Sequence, residues 1–315
     1  MLKKSIILLC LCLTWLNSYI LPVEARYDTG GEFLTFGVGA RASGMGEAFV
    51  AVADDASAIH FNPAGLGLVT QNQLFVIRNH LYEDIASGIY HNFFSYIYPT
   101  SNRVFGCGIN LLQSGSHPIT NYNEALGIVE QVGTFKTSDM AVILSCAQKI
   151  NKNLSLGGNI KYIYSKMYYL TSKAYAIDLG ALYQTPIDNL SLGVSLINLG
   201  SKIYYKDKSQ SDELPLTLNT GTSYRLKISP GDIILFACDI NKPLYDRFVE
   251  VNAGIEYQLF NLFAGRIGFF NKPGNLRGVT YGVGFKYKDW NVDFANLPLG
   301  DLGRRDTKVS ITKKF

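Results

Sequence analysis

The sequence predicts an all-β fold: a transmembrane antiparallel β-barrel of about fourteen strands, with its N-terminal segment held in the lumen as a hatch. Three observations carry this. A secretory leader opens the chain, no later apolar run is long enough for a spanning helix, and period-two alternation recurs along residues 71–315.

The leader occupies residues 1–25. Lys3 and Lys4 form its basic start and residues 6–16 its apolar run. Pro22 then precedes Val23, Glu24 and Ala25, a small-residue pattern that places the cut after Ala25. An uncleaved anchor would need a longer run, and Asn17, Ser18 and Pro22 interrupt it. Neither Cys10 nor Cys12 follows a small residue, which argues against lipid attachment. Cys107, Cys146 and Cys238 remain after the cut, and an odd number in an exported chain excludes a complete disulfide framework. All three sit in apolar stretches, as small hydrophobes do.

Beyond residue 25 there is no stretch of ~18 apolar residues, the length at which a spanning helix becomes a candidate. The other structure that satisfies every backbone group inside a bilayer is a closed barrel. Composition agrees. Charged residues are 17% of the chain, against ~25% in soluble domains, and there are 30 glycines, 20 tyrosines and 18 phenylalanines. The net charge of +4 is scattered, so no nucleic-acid partner is indicated.

Alternation is clearest in residues 154–164, where Leu154, Leu156, Ile160, Tyr162 and Tyr164 oppose Ser155, Gly157, Asn159 and Lys161. In residues 175–184, Tyr175, Ile177, Leu179, Ala181 and Tyr183 oppose Asp178, Gly180 and Gln184. Val249, Val251, Ile255 and Tyr257 oppose Glu250, Asn252 and Glu256, while Val279, Tyr281, Val283 and Phe285 oppose Thr280, Gly282, Gly284 and Lys286. A sustained period of two excludes an amphipathic helix. Strands are expected at 71–80, 88–98, 102–113, 137–149, 154–168, 175–185 and 190–199. A second set is expected at 215–227, 232–241, 248–258, 262–270, 278–288, 290–297 and 305–315. Short links near 151–153, 186–189, 229–231, 260–261 and 288–289 alternate with longer loops at 114–136, 200–214, 242–247, 271–277 and 298–304, the rhythm of periplasmic turns and external loops. A soluble sandwich would have fewer and shorter strands. Phe315 closes the last strand on an aromatic, as in outer-membrane barrels whose assembly machinery reads that signal.

Residues 26–70 break the alternation. They contain Gly37, Gly39, Arg41, Gly44, Gly46, Asp54 and Asp55, then Asn62-Pro63-Ala64-Gly65, rich in small residues and ending on a turn signal. The run GARASGMGEAFVAVADDASAIHFNPAGL resembles the N-terminal block of the PorV/PorQ proteins, which are FadL-like outer-membrane barrels. The C-terminal end is similar too, through Asp293-Phe294-Ala295, the Gly-Asp-Leu-Gly of 300–303 and Lys308-Val309-Ser310-Ile311; Arg305 and Asp306 depart from the polar stretch of many relatives. The resemblance implies a fourteen-stranded barrel over 71–315 and a lumen hatch over 26–70. Carried over residue by residue, it marks Gly44, Gly46, Asp54, Asp55, Asn62, Pro63, Ala64 and Gly65 as hatch positions. It also implies two roles: uptake of small hydrophobic molecules such as long-chain fatty acids, as in FadL, or service in protein secretion, as in PorV.

Chemistry beyond this is sparse. Asp54 and Asp55 suit either a cation or, as favoured, a turn cap bonded to lumen-facing cations. Parity puts Lys161, Asp178, Arg225, Glu250, Glu256, Arg266 and Lys286 in the lumen, a mixture of signs unlike a one-sign ion filter. His60, His80, His91 and His117 show no metal-ligand spacing, and no CxxC or GxSxG occurs, so no metal, cofactor or enzymatic activity is expected. The expected location is the outer membrane, with its lipid and the barrel assembly machinery as partners. An uptake channel and an interaction barrel joined to secretion machinery or attached at the surface both stay open. Loop 114–136, with Ile119, Tyr122, Leu126, Ile128 and Val129, suits a ligand mouth or a partner contact.

Overall fold

The computed structural model describes residues 29–81, 88–123, 127–205, 211–272, 277–298 and 305–315. The leader, Leu126 and the 300–303 block lie outside the described residues. No helix among the described residues is long and apolar enough to cross a membrane.

Fourteen strands close into one antiparallel barrel. They are β1 (Gln73–His80), β2 (Tyr90–Pro99), β3 (Val104–Gln113), β6 (Thr137–Lys149), β7 (Leu154–Met167), β8 (Leu170–Gln184) and β9 (Leu190–Gly200), followed by β12 (Thr217–Ser229), β13 (Asp232–Pro243), β14 (Glu250–Leu259), β15 (Phe263–Asn271), β16 (Arg277–Tyr287), β17 (Trp290–Pro298) and β18 (Arg305–Lys314). Each pairs with its neighbour, and β1 meets β18 with Val76 opposite Ile311, which leaves no open edge. Every strand expected from alternation is present.

The expectations failed at the outer rim. Loop 114–136 contains a hairpin of β4 (His117–Asn123) and β5 (Ile128–Phe135), and residues 200–214 contain the two-residue strands β10 (Ile203–Tyr204) and β11 (Ser211–Asp212). Strand β8 starts at Leu170, five residues before the expected position, because Thr171 and Lys173 continue the ladder to Lys166 and Tyr164. Its link to β7 shrinks to Tyr168-Tyr169. These stretches stand beyond the apolar band, where neither face is required to be apolar and alternation fades. At the opposite rim the turns are tight. Phe260 and Asn261 both have φ 53°, and Leu262 N–H bonds Leu259 O at 3.0 Å, the paired positive φ that matches strand twist in a two-residue hairpin.

Burial is inverted relative to a soluble protein. Ile160 is 65% exposed, Leu144 59% and Val283 59%, whereas Asp178, Glu256 and Thr280 are 0% exposed. Acidic side chains are seldom fully buried unless paired, and an apolar outer face suits a surface solvated by lipid. Tyr162, Tyr183 and Tyr257 point outward, as do Cys107 and Cys146, which are free thiols on the outer wall. Exposed aromatics gather at both rims: Tyr98, Tyr183, Tyr257, Phe263, Tyr287 and Trp290 at the short-turn end, and Tyr168, Tyr169, Tyr204 and Tyr245 at the other.

Ile177 points outward on β8. Ile177→Arg should cost about 2–4 kcal/mol in lipid if it lies near the midplane, read as a lower denaturation midpoint; a parental midpoint would refute the assigned parity. Phe315, 64% exposed, is tied to the wall by its N–H to Asn72 O at 3.0 Å. Deleting it should reduce insertion without reducing export, and a deletion variant with the parent's heat-dependent gel shift would count against an assembly role.

Candidate functional site

Residues 29–72 run from the long-loop end, where Gly30 N–H bonds Glu213 O at 2.9 Å, to the short-turn end, where β1 begins. Along the way they form only short helical pieces, Glu32–Thr35, Ala40–Gly44, Ala58–Phe61 and Pro63–Leu68. Such pieces leave many carbonyls without intrahelical partners. Inward side chains of the wall supply the donors: Thr280 to Gly44 O (3.1 Å), Ser223 to Ala51 O (2.9 Å), Ser95 to Ala56 O (3.0 Å), Asn159 to Ile59 O (2.8 Å), Ser195 to Phe61 O (2.9 Å) and Ser155 to Ala64 O (2.6 Å). In return, the Asp239 carboxylate accepts Phe49 N–H at 2.6 Å and Val50 N–H at 2.8 Å.

The wall makes room for this backbone with glycine. Inward Gly157, Gly180, Gly193, Gly221, Gly254, Gly268 and Gly282 lie on seven strands along the segment's path. A Cβ at Gly254 would lie 2.3 Å from Met45 O, and one at Gly268 2.1 Å from Gly46 N. From the other side, Gly46 has φ +65° and its Cβ would meet Phe269 O at 2.4 Å. Asn62, wholly buried, donates to Val50 O (2.9 Å) and Ala181 O (3.1 Å) and accepts from Ala64 N–H (3.1 Å), capping the turn that Pro63 opens. Gly65 fits against Ala53 O, where a Cβ would approach to 1.9 Å. Gly39, at φ +93°, precedes the helix Ala40–Gly44, and Gly37 packs against the Glu47 carboxylate.

A chain of ion pairs joins segment to wall. The Arg41 guanidinium grips both Glu256 oxygens at 3.0 Å and also reaches Asp54 (2.5 Å) and Asp55 (3.1 Å). Glu256 accepts Arg266 at 2.6 Å, Arg266 reaches Asp293 at 2.7 Å, and Arg225 reaches Asp54 at 2.6 Å. Asp55 also accepts Ser57 N–H at 2.9 Å, so the two aspartates serve as turn cap and cation partners. Among the described residues no group of three or more His, Cys, Asp or Glu is placed to hold a metal ion.

The remaining inward residues fall elsewhere. Lys161 and Asp178 pair at 2.8 Å in a separate cluster with Asn159 and Asn198. Lys286 shares the inward parity but sits at the short-turn rim, donating to Asn261 Oδ1 at 2.9 Å. Glu250 lines a cavity of about 80 Å³ between the segment and β9, β12, β13 and β14, together with Leu34, Glu47, Val50, His60, Phe61, Asn219, Asn241, Asn252 and Lys272. This is roughly half the volume that holds benzene in an apolar cavity, ~150 Å³. Sequence reasoning gave no lumen role to Asp239, Asp293, Lys308, Lys272 or Glu47. The first three share the inward parity of their strands, a signal that was available.

Glu47 joins the segment to Lys272 at 2.5 Å and to Lys308 at 3.6 Å. Burial pushes its carboxyl up, but Lys272 and Lys308 outweigh this and hold it down at about 2. A carboxyl lowered on folding stabilises above its unfolded value and loses that contribution as pH falls toward the folded one. Docking of the segment should therefore weaken as pH drops from about 4.5 to about 2. Pepsin cleavage within 29–72 should rise over this window, and Glu47→Gln should flatten the dependence.

Residues 27–176 match the model of an uncharacterised protein family, UPF0164. No curated protein matches the chain. Among solved structures, the Pseudomonas putida toluene transporter TodX aligns over 89% of this chain and 99% of its own at 13% identity, with a TM-score of 0.63. The monoaromatic hydrocarbon channel CymD follows at 14% identity, 89% and 98% coverage and a TM-score of 0.59. The Ralstonia pickettii toluene transporter TbuX gives 15%, 89%, 98% and 0.58. The chain has the TodX fold. At these identities the likeness concerns architecture, and the fourteen closed strands follow it through the whole wall.

Proposed function

We propose that this protein is an outer-membrane channel for uptake of small hydrophobic molecules, with residues 29–70 as its hatch. The observation that carries the reading is how the segment is held. It fills the lumen and packs its apolar side chains on the wall, and beside that packing it is tied by hydrogen bonds and ion pairs through Arg41, Asp54 and Glu256, which water could replace. TodX and TbuX, which share the architecture, are toluene transporters, and CymD is a monoaromatic hydrocarbon channel. Long-chain fatty acids, suggested by the resemblance to FadL-like proteins, are a further candidate cargo.

A second reading, a PorV/PorQ-type interaction barrel serving secretion or surface attachment, draws on the β4–β5 hairpin, where Tyr122, Val129 and Val132 are each at least 60% exposed. Purification from native membranes, with lipid extraction and identification of co-purifying proteins, separates the two. Uptake of radiolabelled toluene or oleate into proteoliposomes, faster than into protein-free vesicles, is expected for the channel. Parity with empty vesicles, together with recovered secretion machinery, would favour the second reading.

A further inference from the structure

The cavity beside the segment holds chemistry that passage of a bare hydrocarbon does not use. Asn219 on β12, Asn241 on β13 and Glu250 on β14 occupy one inward level, in register as Asn219 opposite Asn241 and Asn241 opposite Glu250. Asn252 is the next inward residue of β14. Asn241 is 9% exposed and Asn252 1%, and neither side-chain oxygen meets a donor among the described residues although both residues line the cavity. The amide of Asn241 has one sensible orientation, because its Nδ2 lies 3.5 Å from the Glu250 carboxylate, where an oxygen would face a second acceptor. A buried acceptor left unmatched forfeits its hydration without recompense.

The charges point the same way. Glu47 and Glu250 line the space, against Lys272, which Glu47 holds at 2.5 Å. A carboxylate head would face acceptors of its own kind. A primary ammonium carries three N–H donors and no acceptor, which matches the two amide oxygens and Glu250. The apolar walls from Leu34, Val50 and Phe61, and a volume of about 80 Å³, suit such a head and its first few carbons. We propose that this cavity binds the protonated primary amine head of a small amphiphile. The inference rests on the channel reading and names its substrate class, alkylammonium molecules in preference to fatty carboxylates.

The test uses the full-length barrel in lipid nanodiscs, titrated calorimetrically with n-butylammonium, butyrate or 1-butanol, with empty nanodiscs subtracted. Butylammonium should bind at least tenfold more tightly than either of the others. Asn252→Leu and the isosteric Glu250→Gln should each weaken it at least tenfold while keeping the parent's heat-dependent gel shift. Equal or tighter binding of butyrate or butanol, or unchanged amine binding in both folded variants, overturns the proposal. Flux in proteoliposomes separates this failure from that of the channel. Toluene flux without amine binding removes the inference and leaves the channel, whereas amine binding without flux of any probe supports the site and removes the channel.

Discussion

Replacing Glu256 with alanine should free the N-terminal segment more completely than any other single change in the ion-pair chain. Its carboxylate is wholly buried and serves Arg41 of the segment and Arg266 of the wall at once. Removing one partner of a buried pair costs about 3–5 kcal/mol, because a desolvated charge is left behind. Here two guanidinium groups lose a shared partner, so the denaturation midpoint should fall and single-channel conductance in planar bilayers should rise. Glu256→Gln keeps the shape but not the charge, and should fall between parent and alanine variant. A Glu256→Ala barrel with parental conductance and midpoint would show that these pairs hold nothing in place.

The second large effect is expected at Gly46. Its φ of +65° is a region a β-branched residue rarely enters, and a Cβ there would lie 2.4 Å from Phe269 O and 2.6 Å from Phe269 N. Overpacking of this kind costs about 1–3 kcal/mol, and the left-handed backbone adds roughly 1–2 kcal/mol. The β15 backbone belongs to a ladder on both sides and cannot retreat. Gly46→Val should therefore displace the segment, exposing it to protease and raising conductance while the strands persist. Gly265 on the same strand is the control, since a Cβ there would meet nothing within 4 Å and Gly265→Val should change neither readout. Protection of residues 29–72 in Gly46→Val equal to that of the parent would contradict close packing as the constraint.

The wall was legible from sequence because lipid and lumen impose opposite demands on successive residues, and β6 has the very ends that alternation predicts, 137 and 149. Where neither solvent is lipid, the signal vanished, as in the β4–β5 hairpin and in Leu170 to Ala174. Arg225, Glu256 and Arg266 were placed inward by parity; Arg225 meets Asp54, Glu256 meets Arg41, and Arg266 meets Glu256 and Asp293. What parity could not supply was pairing, since it gives the face of a residue but not its height relative to a segment that has no period. Glu47 was lost for that reason. The inward glycines carried a signal of their own: a strand that must fill a lumen has no reason to omit its side chain unless another backbone passes there.

Thr29 and Phe315 mark opposite ends of the molecule, one at the loops and the other beside Asn72 at the turns. This has a bearing on manufacture. A tube sealed first at the seam between β1 and β18 would need about forty residues of chain drawn through its full height afterwards, past glycines that leave no slack. Strands laid down around a chain already in place meet no such obstacle. The segment is then expected to act as a mandrel, docked before the seam seals. A permuted chain carrying residues 29–72 after β18 should insert as a wall and remain unfilled.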